Sequence, residues 1–464
     1  MLKLIKQRFI KVTSDENTRL LSEGSSSDQI KDEDVLDKYH LVYWIFFIYG
    51  VAMLLPWNVF ITASEYFAKR FSGTPYEETF QNYFSTNFTN TNLLTFVFVI
   101  YMQNKSSYSF DSFLSIFINT IIFGMLAITV ETHIEGIGYF WFILILIVIT
   151  GVTTSFFQNA VFSEASQLPP MYMQAVLSGQ GIAGVVVAIS SILSALAGST
   201  DSIPNESSIS RSAFLYFLSA FIITLAALIG RIWVVRLPFY RSQMKSNAST
   251  LLEEIEEDLD EEPLREEAPI GIMSVIRKTS GLIFTVGYIF IITLMLFPSI
   301  TALIKSIHRP NDAIDSIHRG TNKGRFYNDD IFVAFHFLLF NVGDWVGRMM
   351  PVSKYFIISQ TKYLVMLSAS RTVFIPLFLL CNVIVSESRK LPVLIQSDLF
   401  YFILVWLFAI TNGWICSLAM MAAPQLKSIK KGKEKAMVGS LMSFSLVLGL
   451  AIGGSLSFIA RWMV

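Results

Sequence analysis

Apolar segments about twenty residues long recur along this chain from residue 41 to its last residues, separated by short polar connections. Coiled into a helix, a segment of that length matches the hydrocarbon thickness of a bilayer. Lipid offers no hydrogen-bond partners, so each such segment must satisfy its own backbone N–H and C=O groups. The chain is therefore expected to fold as an all-α polytopic membrane protein. Composition agrees: 53% of its 464 residues are hydrophobic and 15% are charged, whereas soluble domains carry about 25% charged residues. Mean hydropathy is +0.55.

A window of spanning length gives about eleven transmembrane helices. They fall at about 41–63, 83–103, 111–131, 137–163, 171–197, 212–237, 275–304, 329–351, 361–386, 398–424 and 436–461. The expected organisation is an N-terminal tail (1–40), a six-helix half (41–237), a charged loop (238–273) and a five-helix half (274–464). Lysine and arginine in short connections set the orientation. Arg236, Arg241, Lys245, Arg277, Lys278, Lys427, Lys430 and Lys431 share one side, which places the tail, the charged loop and the connection before the last span in the cytosol. The acidic run Glu253 to Glu267 reads as a solvated linker.

Several function classes are excluded. Net charge is zero, so no nucleic-acid footprint is present. The two cysteines, Cys381 and Cys416, lie in apolar runs and read as buried thiols, with no metal site and no cofactor expected. No nucleophile–base constellation and no phosphate-binding loop stands out, which argues against an enzyme and against a primary pump.

What remains is a set of polar groups at membrane depth, where a charged side chain costs about 2.5–3.5 kcal/mol on insertion scales. Asn341, Asp344 and Arg348 lie one helical turn apart and form a polar stripe on one face. That stripe suits either a structural ion pair or a site where Arg348 donates to a polar solute that Asp344 orients. Trp57, beside Asn58, offers a flat face to a planar heterocycle. Gln158 carries both a donor and an acceptor, suited to the edge of a base or to an interhelical bond. Glu164, Arg371, Asn412 and His336 are further intramembrane polar groups, with Glu164 and His336 the candidates for any proton-linked step. Gly179 and Gly184, and Gly449 and Gly453, form small-residue faces that let helices pack closely or slide.

In their order along the chain, these stretches resemble the equilibrative nucleoside transporters from Asp37 to Val464. The resemblance rests on Leu54-Leu55-Pro56-Trp57-Asn58, Ser178-Gly179-Gln180-Gly181, Phe340 to Arg348, Arg371 to Leu377, and Thr411-Asn412-Gly413-Trp414. It implies a major-facilitator-like arrangement of six plus five helices around a central cavity. It also implies passive, sodium-independent carriage of nucleosides such as adenosine and uridine, and in some members nucleobases. Trp57 would then pack on the solute, Gln158 bond its base, Asp344 and Arg348 meet its ribose and base, Asn341 support them and Leu450 line the cavity. The alternatives from the residues alone are a carrier of another small polar solute, a proton-linked endolysosomal exporter, and a non-transporting receptor or scaffold.

Glu16 with Leu20 and Leu21 fits an acidic dileucine signal read by a sorting adaptor. The plasma membrane is the expected location, with an endolysosomal membrane the alternative. Asn87 and Asn205 head glycosylation sequons on the outer side.

Overall fold

The computed structural model describes residues 36–77, 79–105, 112–132, 134–197, 206–245, 271–308, 325–384, 391–429 and 432–463. Glu16, Leu20, Leu21, Asn205 and the acidic run lie outside the described residues. Eleven long helical segments follow one another: α1 (Leu41–Thr62), α2 (Phe80–Lys105), α3 (Ser112–Glu131), α4 (Ile137–Gln167), α5 (Pro170–Ala197) and α6 (Glu206–Val234), then α7 (Ile272–Leu296), α8 (Asp329–Met349), α9 (Thr361–Ser370, resumed at Phe374–Leu379), α10 (Asp398–Ala422) and α11 (Gly432–Met463). Among the described residues, nine helices are long and apolar enough to cross a membrane. The other two are α2 and α8. Both are long enough to span, and both fall short on apolarity. α2 opens on Asn- and Thr-rich turns, and α8 carries Asp344 and Arg348.

Local chemistry explains where helices start and break. The Asp37 carboxylate accepts from the backbone N–H of Val42 at 3.1 Å and of Tyr43 at 3.2 Å. It thereby satisfies donors that α1 leaves free and complements the positive end of its dipole. Tyr172 of α5 donates to the same carboxylate at 3.2 Å and ties the two helix starts together. Ser397 caps α10 by accepting from Phe400 N. α9 breaks because Pro376 has no N–H to return to the carbonyl of Thr372, and the chain tightens into a 3-10 turn at Arg371–Val373.

Three apolar cores hold the bundle. One lies at the end carrying the α4–α5 turn, the cytosolic end by the lysine and arginine pattern. It draws on both helix groups, including Phe46, Phe162, Tyr172, Leu282, Met420 and Met442. At the other end α1, α2, α3, α4 and α6 close around Phe60, Phe67, Phe71, Phe123 and Phe140. The last five close separately around Phe332, Phe340, Phe378 and Phe408. A short helix, Ser64–Arg70, caps the first of these, and Arg70 donates to Val130 O at 3.0 Å.

Candidate functional site

The two helix groups meet chiefly where α5 packs on α8 and α4 packs on α11. Both seams admit close approach because glycine leaves the room. A Cβ on Gly181 of α5 would stand 3.0 Å from the Trp345 ring and 3.1 Å from the Arg348 side chain. One on Gly184 would overlap Asn341 Oδ1, and one on Gly439 of α11 would overlap the Phe162 carbonyl of α4. The other glycines expected to mark sliding faces pack inside a helix group. Gly179 lies against the α1 backbone at Phe47, while Gly449 and Gly453 lie against α7 at Gly287 and Ile291.

Asp344 and Arg348 sit in the α5–α8 seam, on one face of α8 as their spacing requires. Arg348 Nε donates to Asp344 Oδ2 at 2.7 Å. Its Nη1 crosses to α5 and donates to Leu177 O at 3.3 Å and Gln180 Oε1 at 3.4 Å. Asp344 Oδ1 accepts from Asn412 Nδ2 of α10 at 2.6 Å. Arg348 Nη2 bonds to no described residue, so two N–H donors of the guanidinium remain open. The pair is buried, with 8% of Asp344 and 6% of Arg348 exposed. The neighbouring rim is soft: Ser178 donates to Met349 Sδ at 3.0 Å, and Gln174 Nε2 lies 3.4 Å from the same sulfur.

Gln158 belongs to the second seam. Its Nε2 donates to Ser443 Oγ of α11 at 3.2 Å, and its Oε1 bonds to no described residue. Leu450 lies two turns further along α11, partly buried beside the shared core. Trp57 is half-buried on α1 and stacks on Phe88 of α2 with ring centroids 4.9 Å apart. Phe88 was not expected from sequence, since one Phe among forty carries no signal of its own. Asn341 turns its amide back to Phe337 O at 2.9 Å while its Oδ1 rests on Gly184.

The remaining candidates stand apart from these seams. Glu164 accepts from Arg231 of α6 at 2.8 Å and from Tyr240 Oη at 3.0 Å, inside the first helix group. His336 is fully buried among Phe297, Phe332, Phe337 and Tyr401. Its Nδ1 reaches Phe332 O at 3.2 Å and its Nε2 has no partner among the described residues. Asn87 lies inside α2 with its amide donating to Tyr83 O at 2.8 Å, in a helix rather than a loop. No cluster of three or more metal-ligating side chains occurs among the described residues.

A family model described as "Nucleoside transporter" matches residues 144–462. Equilibrative nucleoside transporter 1 of Homo sapiens is 29% identical, across 92% of this chain and 98% of its own length. Equilibrative nucleoside transporter 2 of Mus musculus is 30% identical with the same coverage. Among solved structures, the Major Facilitator Superfamily transporter FucP in its outward conformation aligns over 93% of this chain and 99% of its own, at 14% identity and a TM-score of 0.49.

Proposed function

This chain belongs to the nucleoside transporter family, and on that premise we propose that it carries nucleosides down their gradient through the gap between its two helix groups. It is a multi-pass membrane transporter and not an enzyme. One observation carries the reading. Arg348 and Asp344 form a buried ion pair at the seam between the helix groups, with guanidinium donors left open there. A nucleoside offers hydroxyls and base edges as partners for such groups, and a flat ring for an aromatic wall.

In this reading Trp57, backed by Phe88, stacks on the base, and the open acceptor of Gln158 meets a base N–H. Arg348 donates through Nη2, Asp344 orients the ribose, Asn341 holds α8 against Gly184, and Leu450 supplies an apolar wall. Alternating access follows from the cores. One core shared by both groups at the cytosolic end, and separate cores at the other, suit an outward-facing state. Opening the other end requires Arg348 to release Leu177 and Gln180. No coupling ion is needed, because the solute moves downhill. Glu164 is held by Arg231 and Tyr240, and no described acid lies beside His336, so both read as structural. The plasma membrane is the proposed location.

Labelled adenosine and uridine uptake into proteoliposomes tests this. Saturable uptake that stops when inside and outside concentrations match, and that ignores an imposed sodium or pH gradient, is expected. A folded protein that moves neither solute would refute the reading.

A further inference from the structure

Asp344 is held from behind as well as from Arg348, by side chains from three helices. Asn412 Nδ2 of α10 donates to Asp344 Oδ1 at 2.6 Å. Thr293 Oγ1 of α7 lies 2.6 Å from Asn412 Oδ1. Arg371 Nη2, from the 3-10 turn in α9, donates to Thr293 Oγ1 at 3.0 Å. Every link is buried, with Arg371 at 1%, Asn412 at 2% and Thr293 at 3% exposure.

The direction of these bonds is fixed by chemistry. A carboxylate only accepts, so Asn412 must present its NH2 to Asp344 and its oxygen to Thr293. Thr293 has one hydroxyl proton and two acceptors within reach, Asn412 Oδ1 at 2.6 Å and the Ile289 carbonyl of its own helix at 2.8 Å, and the shorter contact gives the proton to Asn412. The lone pairs of Thr293 then face Arg371, which only donates. The chain of donors therefore runs one way, from Arg371 through Thr293 and Asn412 to Asp344. Arg371 is itself immobilised. Its Nη1 donates to Phe408 O at 2.8 Å and to Thr411 Oγ1, and its guanidinium lies 4.5 Å from the centre of the Phe408 ring. No described carboxylate lies within ion-pairing distance of it, so its counter-charge is Asp344, reached through the relay.

We propose that Arg371, Thr293 and Asn412 are positioning residues that hold the Asp344 carboxylate in the orientation that receives the ribose hydroxyls. The inference rests on the reading of Asp344 as a solute-contacting residue. Arg371 touches no solute in this account and acts only through the relay. Helices α7, α9 and α10 thereby share control of one carboxylate on α8.

Thr293→Val tests it, because valine keeps the shape and the helical preference of threonine while removing both relay bonds. KM for uridine should rise about tenfold, the scale of one lost hydrogen bond to a charged group. KM for 2′,3′-dideoxyuridine, which lacks the hydroxyls, should stay within about twofold, and Thr293→Ser should restore the wild-type uridine value. A merely structural role would move both substrates together or lower the melting temperature alone, and either result overturns the relay. Arg371→Lys, which keeps the charge and loses the fork, carries the same comparison if the valine variant does not fold. Asp344→Asn is measured beside them. If it raises the uridine KM while the relay variants do not, the relay is wrong and the site stands. If it leaves the uridine KM unchanged, the site reading falls and the relay with it.

Discussion

At the end of the bundle that carries the α4–α5 turn, one apolar core runs through both helix groups; at the opposite end each group closes around its own phenylalanines. In lipid, apolar contact between helices has no advantage over contact with lipid tails. What closes the first end is close packing at glycines and a few polar bonds: Arg348 to α5, Gln158 to Ser443 and Ser178 to Met349. Such bonds are individually modest, about 1 kcal/mol each, and can be exchanged for bonds to a solute. Among the described residues, no such polar link joins the two groups at the separate aromatic cores. They make each group a stiff body. In the proposed cycle, motion belongs to the polar seam and rigidity to the aromatic ends.

The same contrast separates two acid–arginine pairs, one buried and one partly buried. Asp344–Arg348 bridges the groups through α5, whereas Glu164–Arg231 lies within the first group. Arg348→Ala gives the largest expected effect. It leaves Asp344 without its ion-pair partner, a loss on the order of 3–5 kcal/mol in buried pairs, and uridine uptake should fall by about two orders of magnitude. Uptake per folded protein in vesicles checks this.

Trp57→Ala comes next. Base–aromatic stacking contributes about 1–3 kcal/mol, so KM for uridine should rise about tenfold while Trp57→Phe stays close to wild type. Uptake kinetics of both variants decide it. Glu164→Gln is the smallest. Its pair ties α4 to α6 and touches no seam, so the melting temperature should drop by about 2–5 °C with KM unchanged. Its uptake should show the wild-type pH profile. A flattened profile would instead make Glu164 part of the transport cycle.

Much of this was legible in the sequence. Segment lengths give the all-helical membrane fold, a count of eleven spans is compatible with the described helices, and the observed ends of α1, α3, α8 and α10 fall within a few residues of the expected spans. Hydropathy gives the weak case of α2 for the same reason that the structure does, its amide-rich start. The polar stripe on α8 and the isolated Arg371 and Asn412 stand out because charge and amide groups are costly in lipid. Their pairing does not. Thr293, Ser443, Gln180 and Arg231 are ordinary in sequence and gain meaning only from which helix lies opposite. Helix partnership is set by long-range packing, which a period along one helix cannot report. The glycine faces illustrate the limit. All four expected glycines pack closely, yet only Gly184 lies between the groups, and Gly181 and Gly439 share that role.

The proposed cycle opens the α5–α8 seam at every turnover. Ser178 and Met349 face each other across it, and the two native cysteines are buried, Cys416 near Arg348. The most direct test replaces both by cysteine, oxidises the pair to a disulfide in proteoliposomes, and measures uridine uptake before and after reduction. Uptake should sit at background while the disulfide holds and recover on reduction. A fully crosslinked protein that carries uridine at the reduced rate would contradict it.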